Sequence, residues 1–393
     1  MTIHVGVVTA ARSDYGLLVP LVSALFDDPD FELTLYATGM HFSPRHGETI
    51  NEIRSEPWCS TLVEIPSAPK DDSSEAAAQA LAAGIEGFAH SYATQPPDLI
   101  VVMGDRLDVM ACVIAALPFD LPIAHISGGE LSQGVVDDRI RHAITKMSHI
   151  HFTAHPDFAR RVIQLGEAPD RVVVAGEPGL DLLAELATED KETVFAAYDL
   201  DLEAPVSVFT FHPIGPDPDV NRNAMEIILQ AADRAETQIV FTYPNADPGS
   251  SPIIDAIEAY CAGHENCSAW PSLGRYRYIN LANHADCIVG NSSSGLVEAA
   301  SFQLPVVNIG DRQAGRIAPA NVLSVRLDED AIAQAWEKAL SGSFRHSLAG
   351  LKNPYGDGNA VSRILDTLRT MPRGADAVSK VFYDIDGPYI SGS

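Results

Sequence analysis

Residues 290–316 read GNSSSGLVEAASFQLPVVNIGDRQAGR. The run just ahead, Asp286–Gly290, has the short apolar composition of a buried parallel strand, and the run behind, Leu296–Phe302, has helical composition. A strand that turns through small hydroxylated residues into a helix presents unbonded N–H groups and hydroxyls at the positive end of the helix dipole. Ser292 and Ser293 therefore mark an anion site. Glu298, one turn inside the expected helix, is placed to accept the two hydroxyls of a ribose. The alternative is an ordinary N-cap with a capping-box glutamate. The rest of the chain has to decide.

Outward from that turn, strand candidates alternate with helical runs. In the first half the strands are His4–Ala10, Glu32–Ala37, Leu99–Gly104, Ile123–Ile126, His149–Thr153 and Arg171–Ala175. Between them, Gly16–Phe26, Ser74–Tyr92, Leu107–Ala116, Arg139–Met147 and Pro156–Leu165 space their apolar residues as helices do. Glu177-Pro-Gly179 and the acidic stretch Ala187–Ala204 interrupt the pattern. A second series follows, with strands Val206–Phe211, Gln238–Thr242, Asp286–Val289, Val306–Ile309 and Val322–Val325. Two such blocks predict an α/β protein with two parallel sheets, one domain over 1–185, a second over 200–370, and a C-terminal tail over 371–393.

The strands of both blocks end in polar or glycine-rich sequence: ARSDYG, ATGMH, GDRLD and HISGGE in the first, TFHP, TYPNAD, GNSSSG and NIGDRQAGR in the second. Ligands of open α/β sheets bind at the carboxyl ends of strands. Loops of this kind in both domains suit a ligand held in a cleft between them.

Composition narrows the ligand. A formal net charge of −27 argues against a nucleic-acid partner, which needs a basic face, and against docking on an anionic membrane. A small anion held by a few local arginines remains compatible. No segment approaches the roughly 18–20 apolar residues of a membrane span. The N-terminus begins a strand at once, without the basic region and cleavage site of a signal peptide. The 5 scattered cysteines lack metal-ligand spacing and fit reduced thiols, so a cytoplasmic protein is expected.

Asp105 and Arg106 close a very apolar strand, where a carboxylate is partly desolvated and suited to proton transfer; capping of the next helix is the alternative. The stretch from His125 to His142 gathers acids, a Gly-Gly pair and basic residues. Glu130 follows the glycines, and Asp137 and Asp138 precede Arg139, Arg141 and His142. Several carboxyls at one site push their pKa values apart and yield one acid and one base, although an Asp-Asp helix cap is the plainer reading. His212 and Asn245 sit at strand ends of the second block, where ligand contact competes with a plain hydrogen-bonding role. Arg312 and Arg316 follow NIG and could reach a phosphate or a carboxylate, and Arg12 follows the first strand and could meet a diphosphate, with surface ion pairing the alternative for each arginine. There is no GxGxxG loop, no Walker loop and no GxSxG elbow.

Taken in order, ARSDYGLL, TGMH, GDRLD, HISGGE with DDRIRHAITKMSHIHFTA, GEPGLD, TFHP, GNSSSGLVEA, NIGDRQAGR and NPYGDGNA resemble the hydrolysing UDP-N-acetylglucosamine 2-epimerases, from about residue 3 to residue 370. The resemblance implies a GT-B-like fold of two Rossmann-like domains with the active site between them. It implies release of UDP and a free 2-epimer of the N-acetylmannosamine type, on the way to sialic-acid-type sugars. The substrate is UDP-N-acetylglucosamine or a 2,4-diacetamido-trideoxy relative. Asp105 and Asp137 fall on the family's catalytic carboxylates. Arg12, His212, Ser292, Ser293, Glu298 and Arg312 fall on nucleotide-sugar contacts, and His41 falls near the sugar. Where some members carry HIEGGE with a catalytic glutamate, this chain has Ser127, so either Glu130 takes over or the acid comes from elsewhere.

The implied chemistry is elimination of UDP to a 2-acetamidoglucal, then hydration. It requires no cofactor and no metal. A homo-oligomer, dimer or tetramer, is expected. A GT-B glycosyltransferase, a non-hydrolysing epimerase and a nucleotide-sugar sensor are the competing readings.

Overall fold

The computed structural model describes residues 2–44, 47–71, 73–131, 136–244 and 249–385. Its strands form two sheets, all of whose pairings are parallel. The first holds β1 (Ile3–Thr9), β2 (Phe31–Thr38), β3 (Leu62–Ile65), β4 (Leu99–Met103), β5 (Ile123–Ile126), β6 (Ile150–Thr153) and β7 (Val172–Val174), in the order β3-β2-β1-β4-β5-β6-β7. The second holds β8 (Val206–Thr210), β9 (Gln238–Thr242), β10 (Cys267–Trp270), β11 (Cys287–Gly290), β12 (Val306–Ile309) and β13 (Val322–Val325), in the order β10-β9-β8-β11-β12-β13. The α/β class and the paired Rossmann-like sheets are as the alternation predicts.

Central strands read as continuous apolar runs because helices cover both faces. The five residues of β4, LIVVM, are all buried, and alternate side chains feed two cores. β3 and β10 escaped the sequence reading. Both are edge strands, mostly half-buried, so neither carries the apolar signal of its neighbours.

The chain divides into two compact units, Met1–Asp181 with Tyr355–Ser393, and Leu182–Pro354. The expected span of 200–370 for the second domain is therefore corrected. The helix Ala360–Thr370 buries Val361, Ile364, Leu365 and Leu368 in a core of the first unit. Each such side chain contributes roughly 1.5–3 kcal/mol when removed from water. Asp181 caps that helix, accepting from the N–H groups of Ala360 (3.0 Å) and Val361 (2.6 Å). The tail continues onto the same unit, where Lys380 donates to Glu167 at 3.0 Å and to the carbonyls of Lys146 and Ser148 at 2.6 Å. An amphipathic helix near the chain's end says in sequence that it packs on something, but not on which sheet. Among the described residues no helix is long and apolar enough to cross a membrane.

In both sheets the strand order reverses beside the first strand, between β1 and β4 and between β8 and β11. Such switch points open a crevice at the carboxyl ends of the strands. Arg12 and Asp105 follow the two strands of the first switch point, and His212 and Ser292 follow those of the second.

Candidate active site

At the first switch point the helix Arg12–Asp27 follows β1, and Asp14 turns back to accept from the N–H of Ala10 (2.7 Å) and the hydroxyl of Thr9 (3.4 Å). Arg106, just past β4, reaches across: Nη2 donates to Ser13 Oγ at 2.7 Å and Nε lies 3.3 Å from Asp14. Arg12 is exposed and 3.5 Å from Glu52, a surface pair that contributes little to stability. His41 lies in the short turn after β2 and is fully buried. Its Nε2 is 3.0 Å from the Thr9 hydroxyl and its Nδ1 is 2.8 Å from Thr49. Burial pushes its pKa down to about 4, so it is neutral at pH 7. With both ring nitrogens engaged, His41 ties the end of β1 to Thr49.

Past β4 the chain turns at Gly104 (φ +77) and presents Asp105. The guanidinium of Arg141, almost fully buried on the helix Val136–Met147, pairs with the Asp105 carboxylate. Asp137 lies four residues before Arg141, on the same helix face. Although much of its surface is open, the atoms crowding Asp137 raise its pKa, and the charge of Asp105 raises it further. The charges of Arg106 and Arg141 oppose that rise, and the ion pair of Arg141 is with Asp105, so the two carboxyls stand in different surroundings. Capping does not explain Asp105: the residue at the cap of the helix Leu107–Ala116 is Arg106, and no side chain caps it. The sequence expectation for Asp105 is thus refined, since it is held by an ion pair and Asp137 is the carboxyl pushed upward.

β5 supplies the next loop. His125 is fully buried, with Nε2 2.8 Å from the Gly104 carbonyl and Nδ1 3.1 Å from Thr145. A carbonyl only accepts, so Nε2 carries the proton and Nδ1 accepts from the threonine. Burial holds this histidine down to about 3. Ser127 follows with φ +62, donating its N–H to Phe152 O (3.0 Å) and its hydroxyl to Glu177 Oε1 (2.9 Å). At Gly129 (φ +80) a Cβ would lie 2.3 Å from Phe158 O, so only glycine passes there. Glu130 comes next and is buried.

The second switch point is built differently. Gly290 has φ +135, and a Cβ on it would lie 1.9 Å from Thr210 O, so a glycine lets β11 end flush against β8. The Asn291 amide then spans the crevice, accepting from His212 N (2.7 Å) and donating to His212 O (2.9 Å). Arg312 and Gln313 both donate to Asn291 O, at 3.2 and 2.8 Å. His212 is buried and pushed down to about 4, by burial first and then by Arg312.

Ser292 occupies the N-cap position without a side-chain cap bond, its hydroxyl 3.2 Å from Ser294 Oγ, which lies 2.7 Å from Tyr278 OH. Ser293 opens the helix. That helix covers only Ser293–Val297 and gives way to a 3-10 turn over Ala299–Phe302. Free N–H groups and hydroxyls therefore carry the anion argument, rather than a long helix dipole. Glu298 is no capping-box residue: it stands at the helix's C-terminal cap, buried, 3.1 Å from Arg275 Nη1. Burial raises its pKa and Arg275 opposes that rise. Asn245 lies outside the described residues.

With this geometry in hand, the chain can be set beside known proteins. Residues 23–369 match the family model described as UDP-N-acetylglucosamine 2-epimerase. The chain belongs to that family. It is 33% identical over 374 residues, 95% of this chain and 97% of the relative, to a UDP-N,N'-diacetylbacillosamine 2-epimerase (hydrolyzing) of Legionella pneumophila. It is 31% identical to a GDP/UDP-N,N'-diacetylbacillosamine 2-epimerase (hydrolyzing) of Campylobacter jejuni, covering 87% of this chain and 88% of that one. The fold matches a Neisseria meningitidis UDP-GlcNAc 2-epimerase bound to UDP-GlcNAc, with a TM-score of 0.79 at 20% identity, over 93% of this chain and 100% of that one. The GT-B-like expectation for this epimerase-family chain stands.

Several residues of the site went unassigned in the sequence. Arg106 and Arg141 were visible beside the acids but carried no role; their pairing with Asp14 and Asp105 spans distant strands. Arg275 sits on the helix Gly274–His284, with no local feature to mark it. The Ser127–Glu177 bond joins residues 50 apart.

Proposed function

We propose that this chain is a hydrolysing 2-epimerase that takes a UDP-linked 2-acetamido sugar and water to UDP and the free 2-epimer. A UDP-2,4-diacetamido-trideoxy sugar of the bacillosamine type is the favoured substrate and UDP-N-acetylglucosamine the second. The Asp105–Arg141–Asp137 cluster carries the reading: Asp105 is ion-paired with Arg141, and Asp137, whose pKa is raised by crowding and then by the charge of Asp105, equips the first unit to move a proton. The relatives that span nearly the whole chain and are named as hydrolysing enzymes support it.

In the elimination step a carboxylate of this cluster takes the C2 proton. The C–H electron pair becomes the C1–C2 double bond, and the C1–O bond breaks toward UDP. In the hydration step water adds at C1 and C2 receives a proton on the opposite face. Asp105, Glu130 and Asp137 are the acid–base carboxyls, and Arg12 meets the diphosphate. The second unit holds the UDP: Ser292, Ser293 and Arg312 at the phosphates, Glu298 at the ribose, with His212 and Asn245 beside the nucleotide sugar. Neutral His212 accepts or donates one hydrogen bond without adding charge. We further infer a homo-oligomer working in the cytoplasm.

Incubation with UDP-N,N'-diacetylbacillosamine and with UDP-N-acetylglucosamine, followed by product analysis, tests the reading. Free 2-epimer and UDP, formed faster from the first, are expected. A 2-epimer still attached to UDP would make the chain a non-hydrolysing epimerase.

A further inference from the structure

Inversion at C2 sets a condition that the Asp105–Arg141–Asp137 cluster does not meet alone. The proton taken from C2 and the proton returned approach opposite faces of one carbon, so two proton-carrying groups separated in space are needed. The charge of Asp105 raises the pKa of Asp137, so these two carboxyls lie together and are taken to serve one face. At the carboxyl edge of the same sheet lies a second buried polar pair, Ser127 and Glu177, 7% and 5% exposed.

Ser127 directly follows β5 and is held at φ +62, a left-handed conformation that residues with a side chain rarely adopt. Backbone strain of this kind concentrates at functional sites. Its hydroxyl donates to Glu177 Oε1 at 2.9 Å. Glu177 follows β7 and is fixed from behind. Its N–H donates to Tyr355 O at 2.8 Å, and a Cβ on Gly176 would lie 3.2 Å from the Gly356 Cα.

We propose that Ser127 and Glu177 together form the proton donor for C2, Glu177 storing the proton and the Ser127 hydroxyl delivering it. This rests on the hydrolysing-epimerase reading above. In the hydration step a water oxygen pair forms the new C1–O bond, and the double-bond pair takes the Ser127 hydroxyl proton to form the new C2–H bond. The Glu177 carboxyl proton moves to the Ser127 oxygen in the same step, and the Glu177 carboxylate is later reprotonated from solvent. The proton lost by the attacking water passes to Glu130. A hydroxyl rotates freely, so Ser127 can donate to the carboxylate at rest and accept from the carboxylic acid in the working state.

The test uses the full chain carrying Glu177→Gln or Ser127→Ala, with the preferred UDP-sugar as substrate and UDP, free 2-epimer and free 2-acetamidoglucal all quantified. The glutamine still accepts the serine's hydrogen bond but has no proton to give. Formation of the 2-epimer should fall at least about a hundredfold, a usual size for a proton-transfer group. UDP release should continue with glycal accumulating, and UDP affinity should change by no more than about fivefold. Glu177→Asp should restore part of the 2-epimer. If Glu177→Gln does not fold by circular dichroism, Ser127→Ala decides alone. Wild-type product ratios in both variants, or glycal accumulation in Glu130→Gln alone, would overturn the proposal. A wild-type enzyme that gives no free 2-epimer would overturn the underlying reading, a result distinct from a working wild type with an equally working Glu177→Gln.

Discussion

The two sheets share a strand order around their switch points, and both crevices are bridged by a side chain from the loop after the fourth strand. In the first unit the bridge is ionic: Arg106 crosses to Ser13 and Asp14, with the Asp105–Arg141 pair beside it. In the second it is an uncharged amide, Asn291 gripping both backbone groups of His212. Ionised groups in shared clusters change protonation with small changes in surroundings. The Asn291 amide does not ionise and fixes geometry, while the charged groups of the second site, Arg312 on the Asn291 carbonyl and the Arg275–Glu298 pair, stand around it. This contrast fits the proposed function, with proton movement assigned to the first unit and anion holding to the second.

The largest effect should come from Asp105→Asn. Turnover is expected to fall at least about a hundredfold, while UDP affinity measured by calorimetry stays within about threefold. Comparable losses in both quantities would dissolve the division of labour. In the second unit the converse is expected of Glu298→Gln. UDP affinity should drop about tenfold or more, the usual size for losing a charged hydrogen bond, with turnover at saturating substrate reduced far less.

Acid should separate the units as well. His41, His125 and His149 in the first unit are held down to about 4, 3 and 4, and His212 in the second to about 4. The unfolded chain binds protons at these histidines from about pH 6.5 downward, whereas the folded chain does so only near the depressed values. Their stabilisation is complete above pH 6.5 and is lost as pH falls toward 4. A tenfold difference in proton affinity between the folded and unfolded chain corresponds to about 1.4 kcal/mol. Amide hydrogen exchange at pH 7 and pH 4.5 should therefore show a greater loss of protection in the first unit's strands than in the second's. An equal loss would contradict this.

The smallest effect expected is that of Ser294→Ala. It leaves the Tyr278 hydroxyl without its 2.7 Å partner and should weaken UDP binding by no more than about fivefold.

Much of this was legible in the chain. Central strands announce themselves because burial on both faces forces continuous apolar runs, as in LIVVM of β4. The loops that follow them announce the crevices, since glycine and short polar residues occur where backbones must come close, as Gly290 does against Thr210. Edge strands β3 and β10 were illegible for the opposite reason, being only partly buried. The helix Ala360–Thr370 showed its apolar face but not its partner sheet. His41 was found by its motif, yet the sequence did not reveal that Thr9 and Thr49 occupy both its nitrogens. Pairings such as Arg275 with Glu298 and Ser127 with Glu177 arise from tertiary packing, and no local pattern encodes them.

At the centre of the proposed function stand elimination of UDP from the sugar and hydration of the resulting glycal. The most direct measurement is a turnover in deuterated water, followed by mass and proton analysis of the products. Reprotonation of C2 from an exchangeable group predicts free UDP and a free 2-epimer carrying deuterium at C2. Free sugar with its original C2 configuration and no deuterium would mean simple hydrolysis and contradict the account.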